Sequence, residues 1–207
     1  MPLPDLIVDD ALLANATSYV KTYMANYDPS HDFAHIQRVL RLATTIQVKT
    51  PNTDLPIVQL AALLHDVGDK KYLQPGQNPL RLVHEVLLSL GASEPLAQKV
   101  QAICSGVSYS SEIQDPEKVT RLIEEHPELA VVQDADRLDA IGAVGIGRAF
   151  AFGGAKGREM GQTMEHFEEK LVKLGGMMKT VEGRRLAAER TERIERMMEW
   201  WTLETEV

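Results

Sequence analysis

Apolar positions along this chain recur at helical rather than strand spacing. From Asp32 onward, Ile36, Val39, Leu40 and Ala43 fall at i, i+3, i+4 and i+7, the stripe that a helix turns toward a core. The same pattern predicts a first helix over about 11–26, entered through Asp9 and Asp10 and closed by the turn-prone Asp28-Pro29-Ser30. Pro51-Asn52 ends the second helix. A third is expected over about 54–67, with Thr53 as its N-cap and Gly68 as its stop. Further helices are expected over about 79–90, closed by Gly91, and from Ser93 toward Ser105 with Pro95 in the first turn. Asp115-Pro116 sets an N-cap before proline at the first helical position. His126-Pro127 interrupts that helix, and the next carries Asp134, Asp136 and Asp139. A glycine-rich stretch from Gly142 to Gly157 follows. Close helix packing or a mobile loop from Gly153 to Gly157 accounts for it better than a dinucleotide-binding loop, because the preceding segment reads as helix and position 150 is Phe150. The last helix, about 182–201, pairs Glu189 with Arg193 and Glu192 with Arg196, four residues apart in the favourable order. No alternating strand, repeat or low-complexity linker breaks the pattern, which predicts a single, nearly all-α domain.

Composition narrows the possible partners. The 207 residues include 22 Lys+Arg and 30 Asp+Glu, a formal charge of −8 that opposes binding to a nucleic-acid polymer. A small phosphorylated ligand needs only a few local cations and stays open. The single cysteine, Cys104, can form no disulfide within the chain and reads as a buried small hydrophobe in a reducing compartment. The start has no basic flank, and no apolar stretch approaches a membrane span, so a cytoplasmic protein without a membrane partner is expected.

Three segments carry chemistry: Ser30 to Val39 (SHDFAHIQRV), Ala61 to Lys71 (AALLHDVGDKK) and Val131 to Asp139 (VVQDADRLD). Each sets an imidazole or carboxylate beside an apolar run, where an unpaired charge is unfavourable. A divalent metal compensates efficiently, since these groups are its ligands. His65 and Asp66, adjacent in sequence, point about 100° apart on a helix and share an ion most easily at a helix end, which Gly68 supplies. His35 and an aspartate from the third segment complete a set of two imidazoles and two carboxylates with room for water. Asp134 and Asp136 lie about 200° apart, so both do not serve one cleft, and geometry alone does not choose between them. Taken singly, each cluster also reads as a satisfied core histidine or a solvated helix face; the three in this order carry the argument.

The sequence resembles the HD-domain superfamily of metal-dependent phosphohydrolases, marked by a His, then a His-Asp pair, then a distant Asp. It is most similar to small stand-alone HD-domain hydrolases, whose motifs are matched at His31 to Val39, His65 to Lys71 and Gln133 to Gly142. The later His166-Phe167-x-x-Lys170-Leu171 and Met178-Lys179-Thr180 also look like that subgroup, so the likeness covers about 29–190. It implies one HD-type helical bundle over 1–207, with a motif core at about 29–142 and C-terminal helices at about 161–201 packed on it. It implies a metal set of His35, His65, Asp66 and Asp136, which selects Asp136 over Asp134. One divalent ion is expected, whether Mn, Mg, Fe, Co or Ni.

HD proteins with a second metal resemble one another in two further histidines. Here His84 is a candidate for one, but Ala102 to Ser110 holds no histidine and His126 precedes a proline, so a mononuclear site is expected. That segment also departs from the His-Ser found in many subgroup members, which puts substrate preference in doubt. The implied activity is cleavage of a phosphoester or phosphoanhydride of a small metabolite by metal-activated water, with a nucleotide favoured. Asp69 would orient the water or accept its proton, and Lys71 would neutralise charge on the phosphoryl group. Arg38 is a second candidate cation. His84, Arg137, Asp139, Arg148, His166 and Lys170 are candidates for the pocket lining. The competing readings are a di-iron HD-type oxygenase, which needs more ligands, and a non-catalytic binding module. Trp200-Trp201 with Met197 and Met198 read as a packing seam or a subunit contact, leaving monomer and homodimer both open.

Overall fold

Local capping sets where the helices begin. In the computed structural model, which describes residues 6–25, 27–28, 30–69, 73 and 76–206, α1 (Asp10–Tyr23) starts behind Asp9, whose carboxylate accepts the Leu12 N–H at 2.7 Å. Asp32 caps α2 (Phe33–Gln47) by accepting the His35 N–H at 3.1 Å. Asp54, not the expected Thr53, caps α3 (Leu55–Leu64); the Thr53 hydroxyl instead donates to the Thr50 carbonyl and closes the preceding turn. Next come α4 (Leu82–Ser89), α5 (Glu94–Val107), α6 (Tyr109–Gln114) and α7 (Pro116–Glu125), with Ser93 and Asp115 as the caps of α5 and α7. The chain continues through α8 (Glu128–Asp139), α9 (Gly142–Ala155), α10 (Met160–His166), a π-helical turn (Phe167–Leu171), α11 (Val172–Leu174), a 3-10 turn (Gly175–Met177) and α12 (Val181–Thr205). Among the described residues there are no strands, so the fold is all-α as the periodicity predicts.

Helix α8 is the axis of the bundle. Eleven of its 12 residues are buried, and the exception is Asp136. A helix enclosed on all sides belongs in the middle of a core, and α2, α3, α5, α9 and α12 pack around it. Beyond this shell α1 covers α3, α4 pairs with α5, and α12 lies along α9. Ile36, Ile46, Leu60, Leu64, Leu129 and Leu138 fill the space between α2, α3 and α8.

Two segments differ from the periodicity. The α-helix of the third segment stops at Leu64, and tight turns carry the chain onward, with Val67 N–H to the Leu64 carbonyl at 2.9 Å and Asp69 N–H to the Asp66 carbonyl at 3.2 Å. Gly68 closes this stretch at φ +89°, a left-handed conformation that a residue without Cβ adopts freely. The glycine-rich stretch is mostly helix α9. A Cβ on Gly145 would lie 2.3 Å from the Ala140 carbonyl oxygen, so a glycine lets α9 fold back tightly over the end of α8. At the other end of the chain, Trp201 stacks on Phe150 with centroids 6.0 Å apart, and Met197 and Met198 pack beside the core, whereas Trp200 is 60% exposed. No single helix among the described residues is long and apolar enough to cross a membrane.

Candidate metal centre

His35 enters from the first turn of α2, His65 and Asp66 from the turn that ends α3, and Asp136 from the one open position of α8. Their polar atoms converge. His35 Nε2 lies 3.3 Å from His65 Nε2, 3.3 Å from Asp66 Oδ2 and 3.6 Å from Asp136 Oδ1. His65 Nε2 lies 3.5 Å from Asp66 Oδ1 and 3.6 Å from Asp136 Oδ1. Ligand atoms at bond lengths of ~2.0–2.1 Å around one ion stand about 3–3.4 Å apart, so His35, His65 and Asp66 are spaced to share a cation, with Asp136 Oδ1 3.6 Å from each imidazole.

The far side of each imidazole fixes what the near side offers. His65 Nδ1 sits 2.8 Å from the Ala62 carbonyl, which can only accept, so Nδ1 carries the proton. His35 Nδ1 sits 2.8 Å from Asp139 Oδ2 and donates likewise. Two Nε2 lone pairs therefore face each other with two carboxylates close by, an arrangement that demands positive charge between them. A proton answers part of that demand. Burial pushes His65 down, yet the Asp66 and Asp136 carboxylates more than reverse it and hold the imidazole at about 9. Burial opposes ionisation of Asp66 and Asp136 too, and the two imidazoles overcome it, so both sit below the usual carboxylate range. Asp66 Oδ2 is buried and accepts no hydrogen bond. An orphaned carboxylate oxygen beside two imidazole lone pairs fits a metal ligand set, and His35, His65 and Asp66 form such a group.

The choice between the two aspartates of α8 is visible in the geometry. Asp134 points away from the cluster, where its carboxylate accepts from Lys179 N–H (2.8 Å), Thr180 N–H (2.8 Å) and the Thr180 hydroxyl (2.7 Å) just before α12. Burial pushes its pKa up, partly offset by those hydrogen bonds.

The other sequence candidates occupy varied places. Asp139 is 1% exposed and stands behind His35, not in the open cleft. It also takes Arg38 Nε at 2.7 Å and Nη2 at 3.0 Å, and Arg148 Nη1 at 2.9 Å; Arg148 Nε donates to the Ser30 carbonyl at 2.7 Å. Asp69 follows one turn after Asp66. Lys71 lies outside the described residues. His84 pairs with Glu94 Oε1 at 2.9 Å, bridging α4 to α5. Arg137 is buried against Glu112 and the Met177 carbonyl. His166 is half-buried, and burial with the charges of Lys170 and Arg158 pushes it down; Lys170 Nζ stands 4.7 Å over the Tyr109 ring. His31, which the sequence places in the first motif but gives no role, and Phe152, which it gives no role, also lie beside the cluster. The His31 ring lies 6.2 Å from that of His35 and 6.0 Å from that of Phe152. The signal was present in part: Phe152 falls four residues after Arg148 on α9, the spacing that places both on one helix face.

Comparison with known proteins agrees with this construction. The HD domain family model matches residues 32–141, just over half the chain. YpgQ of Bacillus subtilis is 37% identical over 177 residues, covering 84% of this chain and 83% of its own length. The crystal structure of YpgQ in complex with ADP superposes with a TM-score of 0.77 at 36% identity, covering 93% of this chain and 97% of that one. A Lactobacillus plantarum protein matches at TM-score 0.78 and 30% identity over 96% of this chain and 98% of its own. An HD-superfamily hydrolase of Bacillus thuringiensis matches at 0.70 and 30%, over 94% and 97%. HD domains are in general metal-dependent, and the His35–His65–Asp66 group is the feature that such dependence requires. The chain belongs to the HD domain family.

Proposed function

We propose that this protein is a metal-dependent phosphohydrolase that cleaves a phosphoester or phosphoanhydride of a small phosphorylated metabolite, with a nucleotide favoured. The observation that carries the reading is the convergence of His35 Nε2, His65 Nε2 and the Asp66 and Asp136 carboxylates within 3.3–3.6 Å of one another's nearest partners, around a buried Asp66 oxygen without a hydrogen bond. The ADP bound to YpgQ supports a nucleotide. His35, His65, Asp66 and Asp136 are the proposed ligands of one divalent ion, with Mn, Mg, Fe, Co and Ni all suited to imidazole and carboxylate donors. When bound, such an ion lowers the pKa of water and polarises a phosphoryl oxygen.

The protein's own groups do the rest. Asp69 orients the attacking water or takes its proton. Arg38 and Arg148 each commit two guanidinium nitrogens to Asp139 or Ser30, leaving Arg38 Nη1 and Arg148 Nη2 for a phosphate oxygen. Lys71 neutralises developing charge, and His84, His166 and Lys170 line the outer pocket. The same reading makes the whole chain one HD domain, working in the cytoplasm on a small ligand. A di-iron oxygenase would need more ligands, and His84, the one candidate, is engaged by Glu94.

Nucleoside mono-, di- and triphosphates and sugar phosphates, each tested with Mn²⁺, Mg²⁺, Co²⁺ or Fe²⁺, are expected to yield phosphate or pyrophosphate, read separately. His65→Ala and Asp66→Ala are expected to lose both metal retention and phosphate release. Lys71→Ala is expected to lower turnover more than metal content. A folded wild-type protein that retains none of the four ions would overturn the proposal.

A further inference from the structure

Asp139 lies among the pocket candidates by sequence, three residues after Asp136 and on a neighbouring helix face. Its position contradicts contact with a ligand. At 1% exposure, with Oδ1 accepting from Arg38 and Oδ2 approached by His35, Arg38 and Arg148, the carboxylate has no open face toward the cleft. It touches α2 through His35 and Arg38 and α9 through Arg148, while belonging to α8.

We infer that Asp139 is a positioning residue that acts through His35: it fixes the imidazole with the proton on Nδ1, so that Nε2 presents its lone pair to the donor cluster. The inference rests on the metal reading above. An imidazole has two tautomers, and the partner of one nitrogen decides which is populated. A carboxylate that already accepts two guanidinium groups remains an acceptor for the third donor, so His35 is held in one tautomer and one ring orientation. The arginines have a distinct part in this. Arg38 approaches in parallel through two nitrogens and fixes the carboxylate plane, and Arg148 ties the same oxygen that meets His35 to the backbone just ahead of α2.

The same three-helix tie would also serve stability alone, and the experiment separates the two roles. Asp139→Asn keeps size and one carbonyl acceptor but removes the charge and can turn an N–H₂ group toward His35. The wild type and this variant are compared by isothermal titration with Mn²⁺, by thermal melting without metal, and by ¹⁵N NMR of the histidine side chains. The expected result is an Mn²⁺ affinity about 10- to 100-fold weaker, the usual effect of losing a carboxylate behind a ligating histidine. The His35 ¹⁵N shifts should move from a single Nδ1–H tautomer to a mixture. Arg148→Lys, which retains charge and a donor toward Oδ2, is expected to keep the single tautomer. Unchanged Mn²⁺ affinity with a single His35 tautomer in Asp139→Asn, even with a lower melting temperature, would overturn the inference. If the wild type takes up none of Mn²⁺, Mg²⁺, Co²⁺ or Fe²⁺, the metal reading falls, and the NMR result still judges the tautomer by itself.

Discussion

Cys104 sits in the core with Sγ 3.7 Å from the Ala61 carbonyl. Burial and the nearby negative charge of Asp66 both push its thiol up, far from a reactive thiolate. Native protein at about pH 8.5, where a free thiol is half ionised, is therefore expected to resist iodoacetamide. Protein unfolded in urea should alkylate readily. Mass spectrometry reads the difference, and fast labelling of the folded chain would refute this account of Cys104. The contrast with His65 is instructive, because both groups are buried close to Asp66 yet the same carboxylate suppresses ionisation of one and promotes it in the other. Burial opposes the charged form of both groups; the Asp66 carboxylate adds to that penalty for the thiolate and works against it for the imidazolium.

Elements are joined by polar clips that local sequence does not announce. Asp134 holds the start of α12, and Gly183 is packed so closely there that an added Cβ would meet Asp134 Oδ2 at 2.2 Å. Gly183→Ala is expected to destabilise the fold by about 1–3 kcal/mol through overpacking, measurable by urea unfolding. Glu112 of α6 accepts from Arg137 of α8 and from Lys179. Burial would raise its pKa, but the hydrogen bonds and charges of those two cations bring it below the usual value. A carboxylate depressed in the folded state adds stability above its unfolded pKa, about 4.3, and that contribution is lost as pH falls through the folded value. Glu112→Gln should thus be less stable than wild type at neutral pH, with the gap closing on acidification. A gap that widened toward low pH would contradict this.

Helix starts were legible from sequence because Asp9, Asp32, Ser93 and Asp115 cap helices through residues only three positions away. The convergence of His35, His65 and Asp66 was legible from motif order. The inward depth of Asp139 was not, since spacing of three from Asp136 gives direction around a helix but not how far a face lies from solvent. The helix through Gly142 to Ala155 was obscured for a similar reason: one of its glycines, Gly145, answers to the packing of Ala140, a contact that composition cannot show.

At the scale of the whole molecule, the donor cluster ties α2, α8 and the end of α3 together. An ion bound there stabilises the native state by mass action, about 2.7 kcal/mol at 100 times its dissociation constant. Mn²⁺ should raise the wild-type melting temperature in calorimetry and leave His65→Ala unmoved; an equal rise in both would place the ion elsewhere. The axial helix α8 carries a further consequence. Asp134 grips α12 on one side while Asp136 faces the imidazoles on the other, with a single residue, Ala135, between them. Inserting or deleting one residue at that point would rotate one carboxylate by about 100° relative to the other, although the segment would remain as apolar and as helical as before. The protein can change length in its connecting turns, but between these two aspartates its phase is locked.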